Sequence, residues 1–266
     1  MRIGCISDLH IDYNNSVKNY EDNLIKKIKE QNIDLLVVAG DFSSRIDLSL
    51  MFLERLKKEV FFPVFSIAGN HDFWHCPTIS MKEKIEKFDR ESMSLIVGKV
   101  GVCGATGWYD GSFSNRGYAE MNLNGKTIQG NWPDLRFIQE ACGNAAEFNR
   151  QMTYLFNKKI RKDLSFLNKR VDKIVLVSHM LPDKTFLSSL PAHFATNGFF
   201  GNDELTQIIK EHKISTVVFG HTHYPRRKMK NGIEYVCAPM GYSFEWNNKN
   251  FEERFNEIFQ IVEVWG

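Results

Sequence analysis

The chain has 266 residues, 43% of them hydrophobic and 25% charged, ordinary globular values that exclude a disordered or fibrous polymer. Lys and Arg total 34 against 32 Asp and Glu, and the formal charge of +2 excludes a strongly basic nucleic-acid tail but not a local patch. No apolar stretch approaches the roughly 18 residues a membrane helix needs, and Asp8 comes too early for a secretory signal.

Short apolar runs alternate with helical periodicity through the first part of the chain. Residues 3–7 read as a buried strand, and Val17, Tyr20, Leu24 and Ile28 then share one helical face. Leu35–Ala39 reads as a second strand, followed by Leu48, Phe52 and Leu56 at helical spacing, and 64–68 as a third. Ser80 with Glu83 has the form of a capping box opening a helix through Met81, Ile85 and Phe88. This alternation predicts right-handed crossovers and a largely parallel sheet.

Two shorter strands are expected at Leu95–Val97 and 100–104. The stretch 107–143 is aromatic, rich in Gly and Asn, and weakly periodic, so a functional insertion or lid is expected at about 107–145. Asn144 and Glu147 can cap a helix that turns Phe148, Met152, Leu155, Phe156, Ile160 and Leu167 inward. Strands at 174–177 and 216–219 flank a helix near 203–212. Asn231-Gly232 between Arg226–Lys230 and 235–237 is a two-residue hairpin signal, and a last strand fits 258–264. With no repeat and no interdomain linker, a single domain over 1–266 is expected.

The apolar runs lead into residues that bind hard or borderline cations. The first is followed by Asp8-Leu9-His10, the second by Gly40-Asp41, and the third by Gly69-Asn70-His71-Asp72. The run at 174–177 precedes His179, and that at 216–219 precedes Gly220-His221-Thr222-His223. In an open α/β sheet, residues just beyond the strand carboxyl ends converge on one crevice. Carboxylate, imidazole and one amide suit divalent Mn, Fe or Zn, and no thiolate joins them. In D-x-H and H-x-H the paired side chains are expected on the same side of an extended segment, and the glycines permit close backbone approach.

Taken together, these motifs resemble the calcineurin-like metallophosphoesterase superfamily, in its order and spacing, from Met1 to about Pro239. The resemblance implies an α/β fold, a four-layer α/β/β/α sandwich with two central mixed sheets, the short later strands building the second sheet. It implies a hydrolase acting on phosphoester bonds with two divalent metal ions, manganese first among Fe, Zn, Ni and Mg. Asp8, His10, Asp41 and His223 are assigned to one ion, and Asp41, Asn70, His179 and His221 to the other. A shared Asp41 can hold cations roughly 3.5–4 Å apart, where a bridging hydroxide attacks phosphorus in line. Asn70, being neutral, keeps the site more positive than a third carboxylate would. His71 is assigned as proton donor to the leaving oxygen, with Asp72 either orienting it or capping the helix start.

Substrate contacts are sought at His75, Trp108, Arg116 and Arg136. The aromatic and Arg groups of the insertion can stack a base and grip phosphate, or can form a small satellite core. His75 follows His71 by one helical turn but lacks the Glu of a zinc-protease pair. Arg226-Arg227-Lys228-x-Lys230 reads as the solvated face of an edge hairpin, with a phosphate or nucleic-acid contact as the alternative. His193 and His212 read as structural, and Cys76 is assigned no chemistry. The five cysteines are odd in number and form no C-x-x-C pair, which predicts a cytoplasmic chain without disulfides. The expected partner is a small phosphodiester or phosphomonoester, nucleotide-like if the aromatic stretch stacks a base. A nuclease, a protein serine/threonine phosphatase and a non-catalytic protein-binding scaffold are the alternatives on the same fold; nucleic acid is not favoured and no membrane partner is expected.

Overall fold

A computed structural model describes residues 1–75, 78–114, 132–141, 144–189 and 196–265. In chain order its first half contains β1 (Arg2–Ile6), α1 (Tyr20–Lys29), β2 (Leu35–Ala39), α2 (Ile46–Glu59), β3 (Val64–Ile67), α3 (Met81–Glu91), β4 (Leu95–Val97) and β5 (Val100–Ala105). There follow α4 (Pro133–Phe137), α5 (Ala145–Leu167), β6 (Lys173–Ser178), α6 (Asp203–Glu211) and β7 (Ile214–Phe219). The last elements are β8 (Arg226–Lys230), β9 (Ile233–Cys237), α7 (Phe251–Ile258) and β10 (Gln260–Glu263).

The strands form two mixed sheets, ordered β10-β1-β2-β3 and β4-β5-β6-β7-β9-β8. In the first, β1, β2 and β3 are parallel and β10 closes the edge antiparallel. In the second, β5, β6, β7 and β9 are parallel, while β4 and β8 are antiparallel edge strands. The charged hairpin strand β8 therefore sits at a sheet edge, where its Arg and Lys side chains discourage further pairing. Asn231 and Gly232 both take positive φ, at 52° and 76°, as a type I′ turn requires.

Strand alternation divides the interior in two. Ile3, Cys5, Leu35, Val37, Ala39, Val175, Val177, Val218 and Val236 meet between the sheets, where β2 faces β6 and β7, and β3 faces β5. The opposite faces, including Ile6, Leu36, Val38, Leu176 and Val217, pack under the helices with Leu24, Ile28, Phe52, Leu56, Ile160 and Leu164. This is the α/β/β/α sandwich. Each such fully buried aliphatic side chain contributes about 1.5–3 kcal/mol against exposure.

The helix signals act as capping chemistry predicts. Ser80 and Glu83 exchange bonds as a capping box, and Asn144 accepts from the Glu147 amide. The last strand is shorter than the expected 258–264: Ile258 ends α7, and β10 runs only from Gln260 to Glu263. An Asn250–Glu253 capping box opens that helix, and Phe255 and Ile258 on its inner face are buried. The segment expected to be irregular, 107–145, includes the single-turn α4.

Candidate metal centre

All the strand ends that carry ligand-type residues open on one edge of the sandwich. Backbone bonds lock the exits together: Asp8 N donates to Gly40 O, His10 N to Asp41 O, and Gly220 N to His179 O. The pairs Asp8/His10 and His221/His223 are not extended, as the spacing alone suggested. Asp8, His10, Asp41, His221 and His223 have φ of 53°, 45°, 57°, 71° and 53°, so each side chain is aimed by a left-handed backbone step instead. Such non-glycine conformations cost of order 1–3 kcal/mol each and persist where the surroundings over-determine them.

Glycine is obligatory beside two of these carboxylates. A Cβ on Gly69 would stand 2.0 Å from Asp41 Oδ1, and one on Gly220 2.5 Å from Asp8 Oδ2.

The donors fall into two groups. In the first, His223 Nε2 lies 3.4 Å from Asp8 Oδ1 and 3.0 Å from His10 Nε2. In the second, Asn70 Oδ1 lies 3.0 Å from His179 Nε2 and 3.1 Å from His221 Nδ1. Asp41 stands between them: its Oδ2 is 3.2 Å from His179 Nε2, 3.8 Å from His10 Nε2 and 3.9 Å from His71 Nε2. Lone pairs of three atom types thus converge with few hydrogens among them. His179 Nδ1 is 2.8 Å from the Ala39 carbonyl and His223 Nδ1 2.7 Å from Glu245 Oε2, so both rings donate outward and point Nε2 inward. Among the described residues, His10 Nδ1, His71 Nδ1 and His221 Nε2 are buried without a hydrogen-bond partner. The donor set fits divalent metal ions.

Electrostatics agree with that reading. Burial opposes ionisation of Asp8 and Asp41, but the neighbouring imidazoles, His223 at Asp8 and His179 at Asp41, outweigh it and hold both carboxyls low. Burial likewise opposes charge on His179 and His223. Asp41 overcomes it and lifts His179 to about 9, while Asp8 and Glu245 lift His223 to about 10. Burial and then the neighbouring rings push His10 and His71 well below the ordinary imidazole value, and His221 to about 4. In the metal-free chain two imidazolium charges therefore balance two carboxylates, one in each group of donors.

His71 turns into the same space. Its amide donates to Asp41 Oδ1 at 2.9 Å, and its ring stacks on Trp74 at 3.4 Å between centroids. Asp72 does not orient that ring. Its carboxylate accepts from the amides of Asp41, Phe42, Ser43 and Gly69 and from the Ser49 hydroxyl, tying two ligand loops together. Burial, with the Asp41 charge added, raises its pKa to about 7 against those hydrogen bonds.

The centre opens into a cavity of about 1040 Å³, with Trp74, Trp132, Phe186, Phe200, Tyr224 and Tyr242 among its walls. Three of the sought substrate contacts lie elsewhere. Trp108 is fully buried, with Nε1 bonded to Asn149, because an indole so placed fills the core under α5. His75 packs its ring on Phe137, and Arg136 lies over that same phenyl ring, both outside the cavity walls. Arg116, His193 and Cys76 fall outside the described residues.

Sequence reasoning missed Asp134, Tyr242 and Glu245. Tyr242 has its ring 4.5 Å from His10 and its hydroxyl 3.5 Å from His71 Nε2. Asp134 lies in α4, and Tyr242 and Glu245 come five and eight residues after β9, whose exit loop bonds Ser7 and Asp8, so no short strand-end motif marks any of them.

A family model described as calcineurin-like phosphoesterase matches residues 1–225. The chain belongs to that family. As a calcineurin-like phosphoesterase it is a metal-dependent hydrolase of phosphoester bonds. Its sequence is 22% identical over 274 residues to the uncharacterized protein L509 of Acanthamoeba polyphaga mimivirus, covering 92% of each chain. Its fold is similar to that of a phosphopantetheinyl hydrolase from Mycobacterium tuberculosis, with a TM-score of 0.71, 18% identity, and 98% and 95% of the two chains covered. A dimetal phosphatase from Danio rerio superposes with a TM-score of 0.53 at 15% identity, over 89% and 86% of the chains. No helix of this phosphoesterase is long and apolar enough to cross a membrane, among the described residues.

Proposed function

We propose that the chain is a two-metal phosphoesterase acting on small phosphodiesters or phosphomonoesters in the cavity above the donor groups. The observation that carries this reading is the position of Asp41, whose Oδ2 lies within 3.9 Å of imidazoles from both groups. Asp8, His10, Asp41 and His223 would hold one ion, and Asp41, Asn70, His179 and His221 the other. Divalent cations bound there supply activation of water and offset charge on the phosphoryl oxygens. Manganese is the first choice, with Fe, Zn, Ni and Mg also suited to these N and O donors.

His71 holds and gives the proton that the leaving oxygen needs. Burial and His179 keep its ring neutral in the metal-free chain, and an anionic phosphoryl group alongside favours its protonated form. Stacking on Trp74 fixes the plane of the ring. The Tyr242 hydroxyl, beside His71 Nε2, can donate to a phosphoryl oxygen. Both solved relatives are named for phosphoester chemistry, which supports the reaction class. The cavity size is that of a small-molecule site, and its aromatic walls favour an ester bearing an apolar or ring-shaped group. The described part of 107–145 serves as a cap over that cavity, through Trp132 and Asp134. Buried free thiols at Cys5, Cys103 and Cys237 suit a reducing cytoplasm.

The test is a hydrolysis panel of chromogenic mono- and diesters, cyclic nucleotides, dinucleotides and single-stranded DNA with Mn, Mg, Ni and Zn. Activity on a small ester that chelation abolishes and Mn restores, and that Asp41→Asn loses, is the expected result. Full activity after exhaustive metal removal, or in Asp41→Asn, overturns the reading. Turnover confined to the DNA, with the steep salt dependence of counterion release, would make the enzyme a nuclease instead.

A further inference from the structure

Asp134 belongs to the cap segment, 64 residues beyond Asn70 in the chain, yet its buried carboxylate gathers four side-chain donors at the cavity wall. Oδ1 accepts from Asn70 Nδ2 at 2.8 Å and from Trp74 Nε1 at 2.6 Å. Oδ2 accepts from the Tyr109 hydroxyl at 3.0 Å and from Trp132 Nε1 at 3.2 Å.

Two of those partners touch the reaction centre. An amide side chain has a donor end and an acceptor end that differ little in shape, so its orientation is set by what it bonds. A carboxylate facing Asn70 Nδ2 leaves only one orientation, in which Oδ1 points at His179 and His221. Were the amide reversed, its NH₂ would face the ligand nitrogens and the second group would lose its oxygen donor. The other partner, Trp74, carries the indole on which His71 stacks.

We propose that Asp134 is the positioning residue for both Asn70 and His71, fixing the amide of one directly and the ring of the other through Trp74. The cap is thereby coupled to the metal centre by a single carboxylate. This rests on the two-metal reading above, in which Asn70 is a ligand of the second ion. Outer partners of metal ligands change affinity by about 10–100-fold when replaced, and that is the expected scale here.

The experiment is calorimetric titration of the purified full chain with Mn, together with the pH profile of hydrolysis. In Asp134→Leu neither end of the side chain accepts a hydrogen bond, so Asn70 loses the partner that orients it and the second ion should bind about 10–100-fold more weakly while the first is unchanged. The profile's limb assigned to His71 should also move. Exchanging the two groups, in Asn70→Asp with Asp134→Asn, rebuilds a carboxylate–amide bond with its polarity reversed and should restore second-ion affinity relative to Asp134→Leu. Asp134→Leu that binds both ions like the parent, with an unmoved profile, overturns the proposal. So does an exchanged pair no better than Asp134→Leu, which would make Asp134 a strut for the cap alone. If Asp134→Leu does not fold, the exchanged pair titrated against the parent decides: second-ion binding within about tenfold of the parent supports positioning, and none overturns it. A parent chain that takes up only one ion would instead defeat the two-metal reading itself.

Discussion

Glu245 Oε2 stands 2.7 Å from His223 Nδ1, and since an ionised carboxylate only accepts, the ring must carry its hydrogen on that side. Nε2 is thereby turned toward Asp8 and His10 as the metal-facing atom. Glu245→Gln removes the charge but leaves the shape, so first-ion affinity is expected to fall about 10–100-fold with the second ion little altered. Competition with a chelator of known strength measures it. An unchanged affinity would mean that Glu245 serves only the turn at Tyr242, whose amide it also accepts.

Metal uptake should depend on pH because protons occupy the ligands first. His179, lifted to about 9, and His223, lifted to about 10, are both cationic at neutral pH in the metal-free chain. Each must lose a proton to bind, so affinity is expected to rise about tenfold per pH unit for each proton displaced, from neutrality to about pH 9. Calorimetry in buffers of differing ionisation enthalpy counts the protons, and a release of none contradicts the scheme.

The same groups set the stability of the metal-free chain. Raised values on His179 and His223 stabilise it fully below their ordinary value of 6.5, and that contribution is lost as pH rises through about 9 and 10. Lowered values on Asp8 and Asp41 act oppositely, stabilising above 3.8 and weakening as acid protonates them. Thermal melts without metal should therefore decline on both flanks of a neutral plateau. Added Mn should flatten the alkaline flank, because the ion replaces the protons.

Gly69→Ala places a methyl 2.0 Å from the Asp41 carboxylate, against backbone-anchored atoms that cannot give way. A displacement of even 1 Å at a reacting centre costs about 100-fold in rate, so kcat/KM is expected to fall at least that far. The comparison is Gly98→Ala: that glycine meets nothing within 4 Å, though its φ of 60° adds local strain. Hydrolysis kinetics of the two variants distinguish a crowded ligand from general damage.

His71→Gln is expected to lose about 100- to 10,000-fold in kcat while both ions still bind. A proton donor matters most when the leaving oxygen is a poor one. Nitrophenyl esters should therefore suffer less than alkyl esters, and equal losses on both would make His71 a phosphate contact only.

Much of this architecture is local in origin. Runs such as Leu35–Ala39 are buried on both faces, and β-branched and leucine residues without polar interruption announce that directly. Asp8, Asp41, Asn70, His179 and His221 were legible because each follows such a run within a few residues. The aromatic segment was not. Trp132 reaches the cavity and Trp108 fills the core, and the two indoles differ only in what packs against them.

The sequence by itself determined which side chains arrive at the strand ends, and so the hard and borderline character of the donors. Only the tertiary structure decided how they point: the left-handed steps at Asp8, His10, Asp41, His221 and His223 come from loops braced against one another. It alone decided the work of Asp72, Asp134 and Glu245. A lone carboxylate carries no sign of its partner in its own neighbourhood, because that partner is chosen by which distant segment folding brings within about 3 Å.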